Sequence, residues 1–227
     1  MVMSSENVES AESSRFQDET TALLRRRVLG ATRRLIAERG LDVSMDDIAE
    51  AADVGRRTLF RHFGNRDDLI AAAVSSALDW YDEQLDLAIT SGEALEQWLR
   101  NLVEGIHEMH VAAGLGLWQL AARADSELSP QLQAINDRRR ADRQRATTHI
   151  ARAAWRHAGG TGRCPVVVVD ACALTVSSFA TRSMVRDFGR DIEQISRATV
   201  ALLAALLRSE VERCALAGAG GTEVERV

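Results

Sequence analysis

The sequence predicts an all-α fold, and three observations lead to that prediction. Apolar residues recur at intervals of three and four positions along most of the chain, which is the spacing of one helix face. Only two prolines and ten aromatic residues occur among the 227 residues, a composition that favours helices over a β-sandwich. No segment alternates apolar and polar residues as a half-exposed strand does.

An apolar stripe that ends at Gly40 predicts the first helix. Its spacing of four, three and four positions places the side chains on one face, and the stripe consists of Leu24, Val28, Ala31 and Leu35. Residues 1–20 are rich in serine and glutamate and have little apolar content. We therefore expect residues 1–20 to form a disordered acidic tail.

Capping residues and glycines delimit the remaining helices. Ser44 is a suitable N-cap for a helix over 45–52, and Asn65 is suitable for the long helix that follows it. Between them, residues 53–55 form a tight turn before a short helix over 56–63. Later helices are expected near 93–112, 117–125, 130–157, 166–187 and 191–213, followed by a flexible tail over 214–227.

Positive charge is concentrated in one segment, although the whole chain has a net charge of −5. Residues 1–21 contain five acidic residues and one arginine, whereas residues 22–66 contain ten arginines and six acidic residues. A compact basic segment on an acidic chain is typical of local contact with DNA. All 28 basic residues are arginine, for which a genomic codon bias is the simpler explanation.

Residues 44–63, SMDDIAEAADVGRRTLFRHF, have the pattern of a helix-turn-helix. Six side chains are expected to form its core: Ile48, Ala49, Ala52, Val54, Leu59 and Phe63. That arrangement leaves arginines on the outer side of the second helix, which the major groove of DNA would admit. From the pattern alone, an ordinary helical hairpin with a solvated arginine face fits equally well.

This segment resembles the DNA-binding region of the TetR family of bacterial transcriptional regulators. The motifs that carry the resemblance lie within the segment SMDDIAEAADVGRRTLFRHFGNRDDLIAA. The first helix begins with small polar residues and contains I-A-x-x-A, and the x-V motif forms the turn. The T-L-aromatic-x-H-F run follows, and then the x-N-R-x-x-L start of the next helix. These motifs cover about residues 24–74, and the rest matches only in length and helical layout. The family implies a helix-turn-helix DNA-binding domain over 21–66 and a larger helical effector-binding and dimerisation domain over 67–213.

The resemblance also implies which residues contact DNA. The base-reading positions of the recognition helix are Arg56, Arg57 and Thr58. The positions that contact phosphates are Ser44, Met45, His62 and Arg66. Three positions depart from the family pattern: Asp53 replaces a turn glycine, Gly55 replaces a capping serine and Phe60 replaces a tyrosine.

For the C-terminal domain the resemblance implies an effector pocket and a homodimer. The expected effector is largely apolar, because the candidates for the pocket lining are large and mostly apolar. These candidates are Trp98, Leu102, Ile106, Met109, Trp118, Trp155, Phe179 and Met184. The last two helices usually form the dimer interface, and their apolar stripes supply its candidates: Val176, Val200, Leu203 and Leu207. Both sets also fit an ordinary core packed within one subunit.

The sequence therefore predicts a one-component repressor that binds palindromic operator DNA as a homodimer and is released by a small effector. No enzyme activity, cofactor, metal or membrane partner is expected, since the sequence has no glycine-rich phosphate loop, G-x-S-x-G or H-E-x-x-H motif. A polar N-terminus and the lack of a long apolar run favour the cytoplasm. The alternative is a helical metal- or redox-dependent enzyme or sensor that uses His107 and His110, or Cys164 and Cys172.

Overall fold

The computed structural model describes residues 5–89 and 94–220, and the side chains of residues 15–85 and 94–217. Within these ranges every regular element is helical, as the sequence predicts. The α-helices of the described residues are α1 (Ser5–Arg39), α2 (Met45–Ala52), α3 (Arg56–Phe63), α4 (Arg66–Ile89), α5 (Leu95–Ala122), α6 (Pro130–His157), α7 (Val166–Thr175), α8 (Ser178–Arg186) and α9 (Ile192–Gly220). A 3-10 turn at Asp125–Glu127 connects α5 to α6.

The two terminal helices are longer than the sequence predicts. Residues 5–20, expected to be disordered, form the start of α1, whereas residues 1–4 lie outside the described residues. The side chains of residues 15–23 are all exposed, so burial does not hold this part of the helix. It contains neither glycine nor proline, and extending a helix is far easier than nucleating one. α9 likewise continues through 214–220, and the rest of the expected tail lies outside the described residues.

Two breaks interrupt the helices of the C-terminal part. Gly114 (φ 61°, ψ −148°) breaks α5 where the sequence predicts a boundary between two helices. The helix predicted over 166–187 is divided into α7 and α8, because Ser177 caps α8 by accepting a hydrogen bond from the backbone N–H of Ala180 at 3.0 Å. α7 and α8 meet at a bend of 43°, and the pair has the length and composition of a broken membrane span. No single helix among the described residues is long and apolar enough to cross a membrane.

The chain divides into two compact units. The first unit comprises the residues up to 77 together with 115–135, and the second comprises 78–114 together with the residues from 136 onwards. The first unit therefore contains more of the chain than the domain predicted over 21–66. Because the divisions fall inside helices, α4, α5 and α6 each contribute to both units.

The second unit has its own core of aliphatic and tryptophan side chains. Within it, the ring of Trp98 stacks on that of His157, with 4.5 Å between the ring centroids and 18° between their planes. The core also contains the four side chains predicted at the dimer interface: Val176, Val200, Leu203 and Leu207. These side chains have little surface left to pack against a second subunit, and their place at a dimer interface stays a prediction.

Two glycines of α5 provide a matched test of the packing in the first unit. A Cβ atom at Gly116 would lie 2.7 Å from the backbone oxygen of Ile36 in α1, whereas a Cβ atom at Gly105 would meet no atom within 4 Å. We expect Gly116→Ala to lower the free energy of unfolding by about 1–3 kcal/mol through overpacking. Gly105→Ala should raise it by about 0.5–1 kcal/mol, because alanine is the better helix former. Urea denaturation followed by circular dichroism measures both changes, and equal changes would contradict this packing.

Candidate nucleic-acid interface

α2 begins with a capping box formed by Ser44 and Asp47. The hydroxyl of Ser44 accepts a hydrogen bond from the backbone N–H of Asp47 at 3.1 Å, and the Asp47 carboxylate accepts one from the N–H of Ser44 at 2.8 Å. The Ser44 hydroxyl also donates to the carboxylate at 2.5 Å. This side-chain hydrogen bond, followed by the backbone one, lowers the pKa of Asp47 below its usual value. The hydroxyl of Ser44 is therefore already engaged within the protein.

The turn between α2 and α3 contains a strained residue. Asp53 ends α2 in the left-handed conformation (φ 49°, ψ 54°), the one described residue other than glycine with a positive φ. This conformation costs most side chains about 1–2 kcal/mol, and aspartate is among the few residues that adopt it readily. The carboxylate of Asp53 accepts a hydrogen bond from the guanidinium of Arg27 at 2.6 Å, which connects the turn to α1. An aspartate is thus accommodated where a glycine is usual.

α3 packs one side on the core and presents the other to solvent. Of the six predicted core residues, Val54 is half-buried. The other five are buried: Ile48, Ala49, Ala52, Leu59 and Phe63. Gly55 precedes α3 and forms no side-chain cap. The first N–H groups of α3 therefore have no capping side chain, and such a helix start carries a partial positive charge that suits a phosphate.

The arginines on the outer side of α3 differ in whether they are already paired. Arg56 forms an ion pair with Asp46 at 2.9 Å, and its guanidinium lies 5.5 Å from the centre of the Phe60 ring. Arg57 is exposed and forms no hydrogen bond or ion pair with any residue that the structure describes. Thr58 is half-buried. Among the base-reading candidates, Arg57 is thus the cation that can reach DNA without breaking another contact.

Two other phosphate candidates, Met45 and His62, can make only part of the DNA contact that the resemblance implies. The side chain of Met45 is buried, so only its backbone N–H at the start of α2 can face a phosphate. The ring of His62 is half-buried and lies 3.4 Å from the guanidinium of Arg61, measured from Nε2. The carbonyl oxygen of His62 accepts a hydrogen bond from Arg25 of α1 at 3.3 Å, so this end of α3 is attached to α1.

Arg66 has a different role from the phosphate contact that the resemblance implies. Its guanidinium donates to the backbone carbonyl of Val43 at 2.5 Å, to the carbonyl of Leu41, and to the carboxylate of Asp67 at 2.6 Å. The guanidinium is therefore committed to the loop over residues 40–43, which precedes α2. A phosphate contact by Arg66 would require it to give up these hydrogen bonds, and it stays a prediction.

Two residues that support the same loop are absent from the sequence-based candidates. The backbone N–H of Leu41 donates to the side-chain oxygen of Gln119 at 2.7 Å, and Arg123 forms an ion pair with Asp42 at 3.1 Å. Gln119 lies in the last turn of α5 and Arg123 directly follows this helix, both about 80 positions further along the chain. No local pattern in the sequence could have indicated these contacts.

The role of Arg66 can be tested by comparing it with Arg57. We expect Arg66→Ala to lower the free energy of unfolding by about 1–3 kcal/mol, because it leaves the carbonyls of a buried loop without a donor. Arg57→Ala removes the same charge from an exposed site and should change stability by less than about 0.5 kcal/mol. Urea denaturation of the two variants measures the difference. Two equally small changes would return Arg66 to the group of residues that are free to bind phosphate.

The residues predicted to line an effector pocket are not one group in the structure. Met109 packs against the core of the second unit, and four others lie within that core: Trp98, Leu102, Ile106 and Trp155. Of the others, Phe179 is 47% exposed, Met184 is half-buried and Trp118 belongs to the first unit. A pocket in the second unit would therefore draw on the core residues of α5 and α6.

The histidines named for the metal-dependent alternative are neutral, and the cysteines named for the redox-dependent alternative are protonated thiols. Burial lowers the pKa of His107 to about 4, and burial with the nearby His107 and Arg143 lowers that of His110 to about 3. Burial also raises the thiol pKa of Cys164 and raises that of Cys172 to about 12, which disfavours the reactive thiolate. Within the described residues no group of three or more histidine, cysteine, aspartate or glutamate side chains could hold a metal ion.

Comparison with known proteins places the candidate interface in a known domain. Residues 28–73 match the family model described as bacterial regulatory proteins, tetR family. A curated relative, the uncharacterized HTH-type transcriptional regulator YvaF of Bacillus subtilis (strain 168), is 28% identical over 92 residues. That match covers 40% of this chain and 45% of the relative, so the chain spans less than half of the relative's length.

Solved structures share the fold over most of the chain. A TetR-family transcriptional regulator from Streptomyces coelicolor has a TM-score of 0.62 at 20% identity, and the match covers 85% of each chain. AibR, solved in complex with isovaleryl coenzyme A and operator DNA, has a TM-score of 0.58 at 20% identity, covering 79% of this chain and 97% of that chain. These likenesses show the fold, an N-terminal helix-turn-helix followed by a larger helical part.

Proposed function

Since the chain belongs to the TetR family of bacterial transcriptional regulators, we propose that it represses transcription by binding palindromic operator DNA as a homodimer. In this proposal the domain over 21–66 reads DNA, and the domain over 67–213 dimerises and binds an effector that releases the DNA. The observation that carries the proposal is the exposed guanidinium of Arg57, which has no partner among the described residues and lies on the outer side of α3.

The DNA contacts are assigned from the state of each side chain. Arg57 contacts a base directly, and Arg56 does so after giving up its exposed ion pair with Asp46, which is worth only about 0–1 kcal/mol. Thr58 completes the base-reading group on the first turn of α3. Phosphate contacts come from His62, from the backbone N–H of Met45, and from Ser44 once its hydroxyl gives up the hydrogen bond to Asp47. The cytoplasm is the proposed location, because that is where operator DNA is found in bacteria.

Base reading by Arg57 predicts a sequence-dependent loss of affinity. Arg57→Ala should cost about 1–3 kcal/mol on operator DNA if the guanidinium makes a bidentate contact with guanine. Affinity for random DNA should fall less, because only one cation is lost from the electrostatic contribution. Fluorescence anisotropy on operator fragments, recovered by selection from genomic DNA, measures both losses. Arg152→Ala removes an exposed arginine of the second unit and serves as the charge-matched control. Equal losses on operator and random DNA would show that Arg57 touches only phosphate.

α9 supports the homodimer with a face different from the one predicted. Exposed small or apolar residues follow one side of this helix at spacings of three, four and seven positions: Ala198, Leu202, Ala205, Ser209 and Leu216. Such spacing lets two helices pack closely against each other. A two-fold dimer built on this face presents two copies of α3, so the operator is an inverted repeat with half-sites separated by about one turn of the DNA helix.

Disruption of the α9 face should give a monomer. Leu202 is 63% exposed in the single chain, so Leu202→Arg should leave the fold intact, abolish the dimer and weaken operator binding. Val111→Arg places the same side chain at an exposed apolar position of α5 and is the control. Light scattering coupled to size-exclusion chromatography gives the mass, and footprinting gives the symmetry of the site. A wild-type monomer protecting one asymmetric half-site would overturn the proposal.

Release by a small effector is the regulatory part of the proposal. Binding of a small effector draws support from AibR, whose structure holds isovaleryl coenzyme A together with operator DNA. The candidate lining in this chain is mostly apolar, so the effector is largely apolar. Since α4 and α5 run from the second unit into the first, a change in the second unit can be transmitted along them. Release requires that the effector bind the DNA-free conformation more tightly, because equal affinity for both conformations shifts nothing.

A further inference from the structure

A polar cluster lies within the second unit. His107 and His110 of α5 each place Nδ1 near the hydroxyl of Thr181 on α8, at 2.8 and 3.0 Å. The same hydroxyl lies 3.0 Å from the backbone carbonyl oxygen of Ser177. His107 is completely buried and Thr181 is 1% exposed. Two histidine rings of α5 therefore meet at one buried hydroxyl oxygen of α8, and His110 itself is half-buried.

The positions of the hydrogen atoms in this cluster follow from its geometry. The hydroxyl of Thr181 has one hydrogen and two lone pairs, whereas the Ser177 carbonyl can only accept. All three contacts are satisfied only if the hydroxyl donates to that carbonyl and accepts from Nδ1–H of both rings. Any other arrangement places two acceptors against each other. Both rings thus carry a proton on Nδ1, and burial, which lowers the pKa of each ring, keeps them neutral.

This arrangement leaves a bare acceptor on Nε2 of each ring. Nε2 of His107 is buried and has no hydrogen-bond partner among the described residues. A buried acceptor without a donor costs about 1–3 kcal/mol, and native proteins rarely keep such a group without a use for it. The missing partner must be a donor, because a neutral ring with its proton on Nδ1 can only accept at Nε2.

We propose that His107 and His110 form the polar anchor of the effector site, and that the effector is a neutral molecule with a hydroxyl group on an apolar body. The hydroxyl donates to Nε2 of His107, and the apolar body packs among core residues of the same helix, such as Leu102 and Ile106. A carboxylate is disfavoured, because it would meet a bare lone pair without a proton between them. This inference rests on the proposed function, since it names the class of effector that the regulator binds.

Helix breaks next to the cluster supply the movement that entry of a ligand requires. Gly114, four residues after His110, interrupts α5, and the cap residue Ser177, four residues before Thr181, separates α7 from α8. A helix segment that ends at such a break can shift while most of its backbone hydrogen bonds are kept. Beyond Gly114, α5 enters the first unit, where Gln119 binds the backbone of Leu41. The cluster and the side chain that holds the loop over residues 40–43 thus belong to one helix, on either side of its break at Gly114.

Three probes of similar size separate the possible ligand chemistries: benzyl alcohol (a neutral donor), toluene (no polar group) and benzoate (an anion). Binding to the full chain at pH 7 is followed in long-range ¹H–¹⁵N spectra of the histidine rings, which report the protonation of each ring nitrogen. We expect both rings to carry the proton on Nδ1. Benzyl alcohol should shift the Nε2 signal of His107 saturably and bind about tenfold more tightly than either other probe, the gain of one satisfied hydrogen bond.

Variants test whether this preference comes from the cluster. His107→Phe keeps an aromatic ring and should abolish the preference for benzyl alcohol, whereas His149→Phe, at an exposed histidine of α6, should leave it unchanged. Thr181→Val keeps the shape of the side chain but removes the acceptor of both Nδ1–H groups, so the tautomers should become mixed and the preference should fall. This variant keeps the test valid if His107→Phe does not fold.

Several outcomes would overturn the inference. These are a proton on Nε2 of His107 in the wild type, equal or absent binding of the three probes, and a long-lived water at Nε2 that benzyl alcohol does not displace. DNA binding of the same samples, measured without a probe, tests the proposed function separately, because it requires neither histidine. Release of the operator in proportion to benzyl alcohol occupancy is the expected result, and saturation without release would show that the cluster is not the effector site.

Discussion

The backbone of residues 40–43 must be satisfied by side chains, and the arrangement of the first unit depends on how this is done. Leu41 and Val43 are almost completely buried, so their polar backbone groups are removed from water in a loop that has no regular hydrogen bonds. Gln119 accepts from the N–H of Leu41, and Arg66 donates to the carbonyls of Leu41 and Val43. α2 begins directly after this loop, and α3 follows after one turn. The position of α3, the proposed DNA-reading helix, therefore depends on partners supplied by α4 and α5.

Features of the fold with local causes could be predicted from the sequence, and features decided by distant burial could not. The capping box of Ser44, the turn at Asp53 and the break at Gly114 are each encoded within a few residues. The role of Arg66 depends instead on two carbonyls more than 20 positions earlier in the chain. The apolar residues of α9 likewise occupy several faces of the helix, and only the packed structure shows that Leu203 faces the core while Leu202 faces solvent. Periodicity alone cannot distinguish an internal stripe from an interface.

Charge pairing within the first unit divides its arginines into those that build the domain and those that remain available. Arg27 holds the strained turn at Asp53, and Arg66 holds the loop before α2. Arg56 has an exposed partner that it can exchange at little cost, and Arg57 has no partner among the described residues. In this positively charged segment, several arginine side chains therefore already have partners within the protein, and few remain free. The count of arginines in the sequence indicates contact with DNA, but only the structure indicates which of them can make it.

The two units differ in whether their buried polar groups have hydrogen-bond partners. In the first unit the N–H of Leu41 and the carbonyls of Leu41 and Val43 each have a side-chain partner, which favours a single rigid arrangement. In the second unit Nε2 of His107 has none, so its cluster has a free-energy deficit that a suitable donor can remove. α5 carries both features, with the histidines before Gly114 and Gln119 after it. A donor that binds at His107 stabilises whichever position of α5 brings the ring and the donor together. If that position differs from the one in which Gln119 best supports the loop, binding of the ligand and binding of DNA oppose each other, and the size of the opposition is set by the difference in ligand affinity between the two conformations.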